Sequence, residues 1–159
     1  IDTYTATLGP YLNAENADLR AFEKRGGKLI MISGTADSCV PYTATLDYYE
    51  RVAEQCGSLE KAQTFIRLYL VPGMSHGPGP GINSMPNMLD LVIRWREQGV
   101  APDRIQARRI IEGKTELDIP LYPYPMKTGY TKEDGFKPIE GLRRGVDRIA
   151  ERFRPPAAD

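Results

Sequence analysis

Two short runs of almost unbroken apolar residues, 28–33 and 65–71, stand out from the mixed pattern around them. Each has the length of a β-strand, and apolar residues at nearly every position are typical of a strand covered on both faces. A segment rich in glycine or proline follows each run. The pattern therefore predicts two buried strands, each of which leads into a loop that cannot continue as regular structure.

Helical periodicity fills the intervals between these runs. Apolar residues recur at helical spacing in residues 16–25, which end at a Gly-Gly pair, and in residues 43–56. Met88, Leu91, Val92 and Trp95 lie at i, i+3, i+4 and i+7 in a third helix that ends at Gly99. Helices that alternate with buried strands predict an α/β fold with a parallel sheet, right-handed crossovers and flanking helices.

The pattern changes beyond Pro102. Residues 104–111 suggest a short extended segment, and residues 119–130, dense in proline and tyrosine, suggest irregular chain on the surface. Residues 122–125 could serve as a polyproline ligand, although packing against the domain is the favoured interpretation. A last helix is predicted over residues 140–153. We expect one partial domain over residues 1–159, with a core of about 16–112 and a tail and terminal helix of about 113–154.

Charge and composition limit the classes of partner. The 159 residues carry 21 basic and 21 acidic side chains, which gives no electrostatic reason to expect nucleic acid or an anionic membrane as a partner. Apolar runs stay well short of the roughly 20 residues of a membrane span. The two cysteines, Cys39 and Cys56, lack zinc-ligand spacing, and a predicted helix separates them; we expect free, buried thiols.

The chain has one histidine, His76, on the glycine- and proline-rich loop after the second strand. Asp37 follows the first strand, 39 residues earlier. An acid and then a histidine after two parallel strands suggest the last two members of a Ser, Asp, His triad. The alternatives are a solvated histidine and an aspartate that caps its own turn.

Residues 73–77 spell the Gly-x-Ser-x-Gly of a nucleophile elbow, which would make Ser75 the nucleophile. Three observations oppose this assignment. Proline and glycine after Ser75 prevent the helix that an elbow requires, no histidine follows His76, and neighbouring side chains on an extended loop point apart. The same glycine run lacks the residues of a phosphate-binding loop.

Several strings resemble the C-terminal part of the tannase and feruloyl esterase family of α/β hydrolases. They are Gly34-Thr35-Ala36-Asp37 with Val40-Pro41, Arg67 to His76 with its Pro-Gly-Met-Ser-His end, Gly99-Val100-Ala101-Pro102, and Pro120 to Pro125. By this resemblance Asp37 matches the triad acid and His76 the triad base. The resemblance implies a secreted or periplasmic serine esterase for gallate or hydroxycinnamate esters.

The resemblance also shows what differs. Family members carry a lid domain that often binds calcium, and nothing in this chain corresponds to the lid, the calcium loop or the serine elbow, so we expect no cofactor or metal here. Gly77 and Tyr122 stand where the family has disulfide-forming cysteines.

The leading hypothesis is that the chain carries the acid and base half of a serine esterase for aromatic esters and is inactive alone. Its nucleophile and lid would come from a lost or separate polypeptide. The alternative is a non-catalytic remnant that binds a partner or self-associates through an exposed sheet edge. Another serine hydrolase, such as a peptidase of similar strand order, is a third possibility.

Overall fold

A computed structural model describes residues 2–77, 79 and 81–141 of the chain. The helices and strands are, in chain order, α1 (Asp2–Thr7), α2 (Gly9–Leu12), α3 (Arg20–Lys24), β1 (Leu29–Gly34), α4 (Tyr42–Cys56), α5 (Leu59–Ala62), β2 (Ile66–Val71), α6 (Met88–Gln98), β3 (Ile105–Ile111), β4 (Lys114–Leu121), β5 (Met126–Thr131) and β6 (Gly135–Glu140).

β1 and β2 pair in parallel, as the apolar runs predict. The register runs from Leu29 opposite Ile66 to Gly34 opposite Val71, so both strands end on the same row. Two helices, α4 and α5, connect them. The loops after the two strands therefore leave the sheet side by side.

β2 is covered on both faces. Ile66 and Leu68 belong to one hydrophobic cluster, while Tyr69 and Val71 belong to another, and all four side chains are fully buried. This alternation is the period of two that places successive side chains on opposite faces of a strand. A strand enclosed in this way is a rigid base for the loop that follows it.

The first cluster is formed mainly by α4. Its Leu46, Tyr49, Ala53 and Cys56 are buried, as their helical spacing predicts. Gly57 ends α4 in the left-handed conformation, with a φ of 91°. The second cluster lies on the opposite face of the sheet, where β3 and β4 contribute Ile105, Ala107, Ile119 and Leu121.

Two predicted segments are wrong. The helix expected over 16–25 is confined to Arg20–Lys24, because side chains occupy backbone donors before it: Asp18 N–H donates to Asn16 Oδ1 at 2.9 Å and Arg20 N–H to Asp18 Oδ1 at 3.2 Å. Such local bonds compete with helical ones.

Residues 119–130 are not irregular chain. They contain the end of β4, which pairs antiparallel with β3, and most of β5, which pairs antiparallel with β6. Tyr124 between them is only 2% exposed, and its N–H donates to Leu68 O at 2.8 Å. This contact supports the packing interpretation of residues 122–125.

Both cysteines are free thiols, as expected, but only Cys56 is buried. Cys39 is exposed because it lies on the loop between β1 and α4 rather than in a regular element. The helix predicted over 140–153 lies outside the described residues, apart from Glu140, which ends β6, and Gly141.

Candidate active site

The loop after β1 holds the Asp37 side chain through its own backbone. Asp37 N–H donates to Gly34 O at 3.3 Å, which closes a tight turn. Oδ1 of the carboxylate accepts from the N–H groups of Cys39 and Val40, both at 2.8 Å. One carboxylate oxygen is thus held by the backbone, which leaves the other free to face a partner.

The loop after β2 brings His76 to that other oxygen. Gly73 has a φ of 69°, which favours glycine because a side chain is strained there. Gly81 lies so close that a Cβ on it would meet Gly73 O at 1.8 Å. These glycines let the loop turn back tightly on itself.

His76 Nδ1 lies 3.0 Å from Asp37 Oδ2. The Asp37 side chain is 11% exposed and the His76 side chain 60% exposed. The carboxylate is therefore largely shielded, while the imidazole is open to a reactant. The two residues singled out from the sequence form one hydrogen-bonded pair.

Electrostatics determine which atom donates in the pair. The Val40 N–H has the largest effect in holding the pKa of Asp37 below its usual range, the His76 ring and the Cys39 N–H add to it, and partial burial opposes it. Asp37 is consequently ionised at neutral pH and can only accept hydrogen bonds. Nδ1 of a neutral His76 must then carry the proton, which leaves Nε2 with a lone pair able to accept one.

Gly34, the last residue of β1, permits the close approach of the two loops. A Cβ at this position would lie 2.1 Å from Met74 O and 2.8 Å from the Met74 carbonyl carbon. Ala36 N–H donates to that same Met74 oxygen at 3.2 Å. From the sequence, Gly34 was expected only to form part of a turn. Its position at the end of a strand, shortly before Asp37, is the feature that could have indicated its packing role.

Ser75 is bound within its own loop. Its Oγ donates to Gly77 O at 2.9 Å, and the next helix in the chain, α6, begins only at Met88. An elbow serine needs a sharp turn from a strand directly into a helix. Ser75 is thus not followed directly by a helix.

Other acidic residues have structural partners. Asp47 pairs with Arg51 one turn along α4 at 3.0 Å, and Asp103 pairs with Arg67 at 2.8 Å. Among the described residues, no three His, Cys, Asp or Glu side chains cluster so that they could hold a metal ion.

A cavity of about 440 Å³ lies away from this pair. It is lined by residues of α4, α5 and the connection between them, together with Tyr124. None of its lining residues belongs to the loops of Asp37 and His76.

Within the described part of the chain, none of the helices combines the length and apolar character needed to cross a membrane.

Comparison with known proteins matches the chain to one protein family. The family described as "Tannase and feruloyl esterase" matches residues 2–141. The mono(2-hydroxyethyl) terephthalate hydrolase of Piscinibacter sakaiensis is 37% identical over 131 residues, which are 80% of this chain and 21% of that protein.

Two solved structures share the fold. The tannin acyl hydrolase of Aspergillus niger matches 92% of this chain and 29% of its own, with a TM-score of 0.73 and 27% identity. Feruloyl esterase B of Aspergillus oryzae matches 84% of this chain and 31% of its own, with a TM-score of 0.72 and 24% identity. The α/β hydrolase type predicted from the sequence agrees with these neighbours. The chain spans only about a fifth to a third of the length of these relatives.

Proposed function

The chain belongs to the tannase and feruloyl esterase family, and from this premise we propose that it supplies the acid and the base of a serine carboxylic-ester hydrolase. The observation that carries the proposal is the hydrogen bond between His76 Nδ1 and Asp37 Oδ2. It lies where two adjacent parallel strands end on one row. Side chains at this edge of an open α/β sheet are the ones that meet a substrate.

In the proposed reaction His76 acts through Nε2. This nitrogen accepts the proton of a serine hydroxyl as the serine oxygen attacks the ester carbonyl carbon, and it returns the proton to the departing alcohol oxygen. Water then cleaves the acyl-serine with the same histidine as base. Asp37 holds the ring in the tautomer that keeps Nε2 free and stabilises the imidazolium that forms.

The nucleophilic serine is proposed to come from a segment outside these 159 residues. Ser75 occupies the single Gly-x-Ser-x-Gly of the sequence, and its hydroxyl is bound to Gly77 O. The same outside segment would supply the oxyanion donors and the lid. The 159 residues by themselves are then expected to lack triad activity.

Aromatic carboxylic esters are the proposed substrates. The supporting observation is that relatives named for terephthalate and feruloyl esters and for tannin all resemble this chain. Gallate and hydroxycinnamate esters are the classes to assay first. We also propose a secreted or periplasmic compartment, no resident cofactor in these residues, and neither nucleic acid nor membrane as a partner.

The first test is whether another polypeptide accompanies the chain. A native mass spectrum of the material purified from its source should show a larger species that contains the 17.8 kDa chain, and a fluorophosphonate probe should label a serine outside it. Labelling at Ser75, or ester hydrolysis by the 159-residue chain that S75A abolishes, would refute the proposed division of the triad.

The second test addresses Asp37 in the active assembly. D37N should lower kcat for methyl ferulate or methyl gallate by about 10⁴-fold, because the amide favours the wrong imidazole tautomer. The H76Q variant should be at least as impaired. An unchanged rate in D37N would exclude Asp37 as the triad acid.

One observation favours a second candidate function, that of a binding domain. In the described residues β1 pairs only with β2, and its Leu29, Ile30, Met31 and Ile32 are only half-buried. An apolar strand with an unpaired edge is a surface for association with another strand. Sedimentation of the purified chain should show a homodimer if this candidate is right, whereas a compact monomer at all concentrations would count against it.

A further inference from the structure

Three hydrogen bonds join the loop of Asp37 to the last residue of β2 and to the loop of His76. Thr35 N–H donates to Val71 O at 3.0 Å, and Ala36 N–H donates to Met74 O at 3.2 Å. The third bond runs in the opposite direction, from Gly73 N–H to Thr35 Oγ1 at 3.1 Å. The first two use backbone atoms at both ends, and the third depends on a side chain.

Thr35 therefore provides the one side chain among these three hydrogen bonds. It lies two residues before Asp37, and its partner Gly73 lies three residues before His76. Gly73 has a φ of 69° and belongs to the turn that sends the loop back over the sheet end. Its N–H points at the Thr35 hydroxyl rather than into the strand ladder.

The location of this bond decides what it can do. Both faces of β2 are buried, whereas Gly73 and His76 are exposed and only Met74 between them packs against the second cluster. An exposed loop is restrained mainly by its hydrogen bonds. The Thr35 hydroxyl thus forms a side-chain hydrogen bond between the loop of Asp37 and the loop of His76.

We propose that Thr35 is a positioning residue that holds the loop of His76 so that Nδ1 faces Asp37 Oδ2. This proposal rests on the proposed function for its importance in catalysis, but its geometry can be tested without any ester. Loss of one neutral hydrogen bond changes the population of a local state about fivefold. We expect the ratio of formed to broken Asp37–His76 pairs to fall by about that factor, and kcat of the active assembly to fall by up to that factor, with KM unchanged.

The single histidine provides the measurement. In the ¹⁵N-labelled chain, the two imidazole nitrogens of His76 are free of overlap from other histidines, and their shifts report the proportion of the Nδ1–H tautomer. T35V removes the hydroxyl at nearly constant volume, T35S keeps it, and T115V makes the same change on exposed β4 as a matched control.

The expected result is that the imidazole shifts of T35V report a smaller share of the Nδ1–H tautomer, while T35S and T115V keep the share of the unaltered chain. An unchanged imidazole spectrum in a folded T35V would overturn the proposal. If T35V does not fold, hydrogen exchange of the Gly73 amide tests the proposal instead. This amide should be protected in the unaltered chain and in T35S. Exchange at the rate of a free peptide in the unaltered chain would overturn the proposal.

The two proposals can fail separately. If T35V shifts the imidazole signals but D37N leaves ester turnover unchanged, the positioning role of Thr35 stands and the catalytic assignment fails. If D37N abolishes turnover but T35V alters neither the imidazole spectrum nor kcat, the catalytic assignment stands and Thr35 has no positioning role.

Discussion

A single methyl group at Gly34 should separate the acid from the base. In G34A the new Cβ would lie 2.1 Å from Met74 O, whereas real Cβ atoms essentially never approach another heavy atom closer than 3.0 Å. The loop of His76 must therefore move away by about 0.9 Å, because the obstacle is backbone and cannot rotate aside. The movement starts two residues before the imidazole.

The magnitude follows from the geometry of the pair. His76 Nδ1 and Asp37 Oδ2 are 3.0 Å apart, and a further displacement of about 0.9 Å takes them beyond hydrogen-bond distance. A misplacement of about 1 Å costs on the order of 10²-fold in turnover. We expect that loss in kcat of the active assembly and a loss of the Nδ1–H tautomer in the isolated chain.

The assay needs a control that adds the same methyl group nearby. G77A does so directly after His76, where a Cβ would meet nothing within 4 Å. Imidazole ¹⁵N spectra and thermal unfolding should be recorded for both variants. If G34A and G77A give the same His76 spectrum and the same turnover, the reasoning about loop contact is refuted.

Three further predictions concern Ser75, the core and acid stability. S75A should leave ester turnover within a few-fold of the unaltered enzyme, since Ser75 Oγ is bound to Gly77 O. L68A should lower the free energy of unfolding by about 2–5 kcal/mol in urea titration, because Leu68 is fully buried, whereas the exposed control L89A should change it by about 0.5 kcal/mol or less. The pKa of Asp37 is lowered in the fold. Its carboxylate therefore stabilises the fold above the ordinary aspartate pKa of about 3.9, and this stabilisation disappears as the pH falls through the lowered value. D37N should lack that part of the acid-induced loss of stability.

Each of these predictions has a contradicting result. A large drop in turnover for S75A would return Ser75 to the role of nucleophile. Equal destabilisation by L68A and L89A would mean that the cluster around β2 is not the core. A D37N variant whose stability falls with acid as steeply as that of the unaltered chain would show that the contacts of Asp37 do not stabilise the fold.

The parts of the fold that could be predicted are those with local signals. α6 has an apolar stripe, a capping Asn87 whose side chain accepts from Leu89 N–H, and Gly99 in the left-handed conformation at its end. β1 and β2 have almost unbroken apolar runs, each followed by a segment with glycine or proline. Because both strands end in loops that carry polar side chains, the proximity of Asp37 and His76 could be inferred as well.

The parts that could not be predicted depend on distant partners. β4 has an exposed, charged first half and contains Pro120, and it is a strand because β3 pairs with it, with Gln106 opposite Pro120. The packing of residues 122–125 against the domain could be predicted, but the partner could not: the Tyr124 ring packs edge-on against Tyr49, with ring centroids 5.8 Å apart. The contact of Gly34 with Met74 could not be predicted either, because a contact between two loops produces no periodic pattern in the sequence.

β1 and β2 end on a common row, with Gly34 opposite Val71. We therefore expect the distance between Asp37 and His76 not to depend on the length of the chain that connects the two strands. Both loops begin at this row, whereas the exposed turn at Gly57 and Ser58 joins α4 to α5. A peptide inserted at that turn should leave Asp37 and His76 in place, whereas one residue added within β1 would turn its side chains to the opposite face. The connection between the strands is therefore the place where an engineer could graft a tag or a second domain onto this chain.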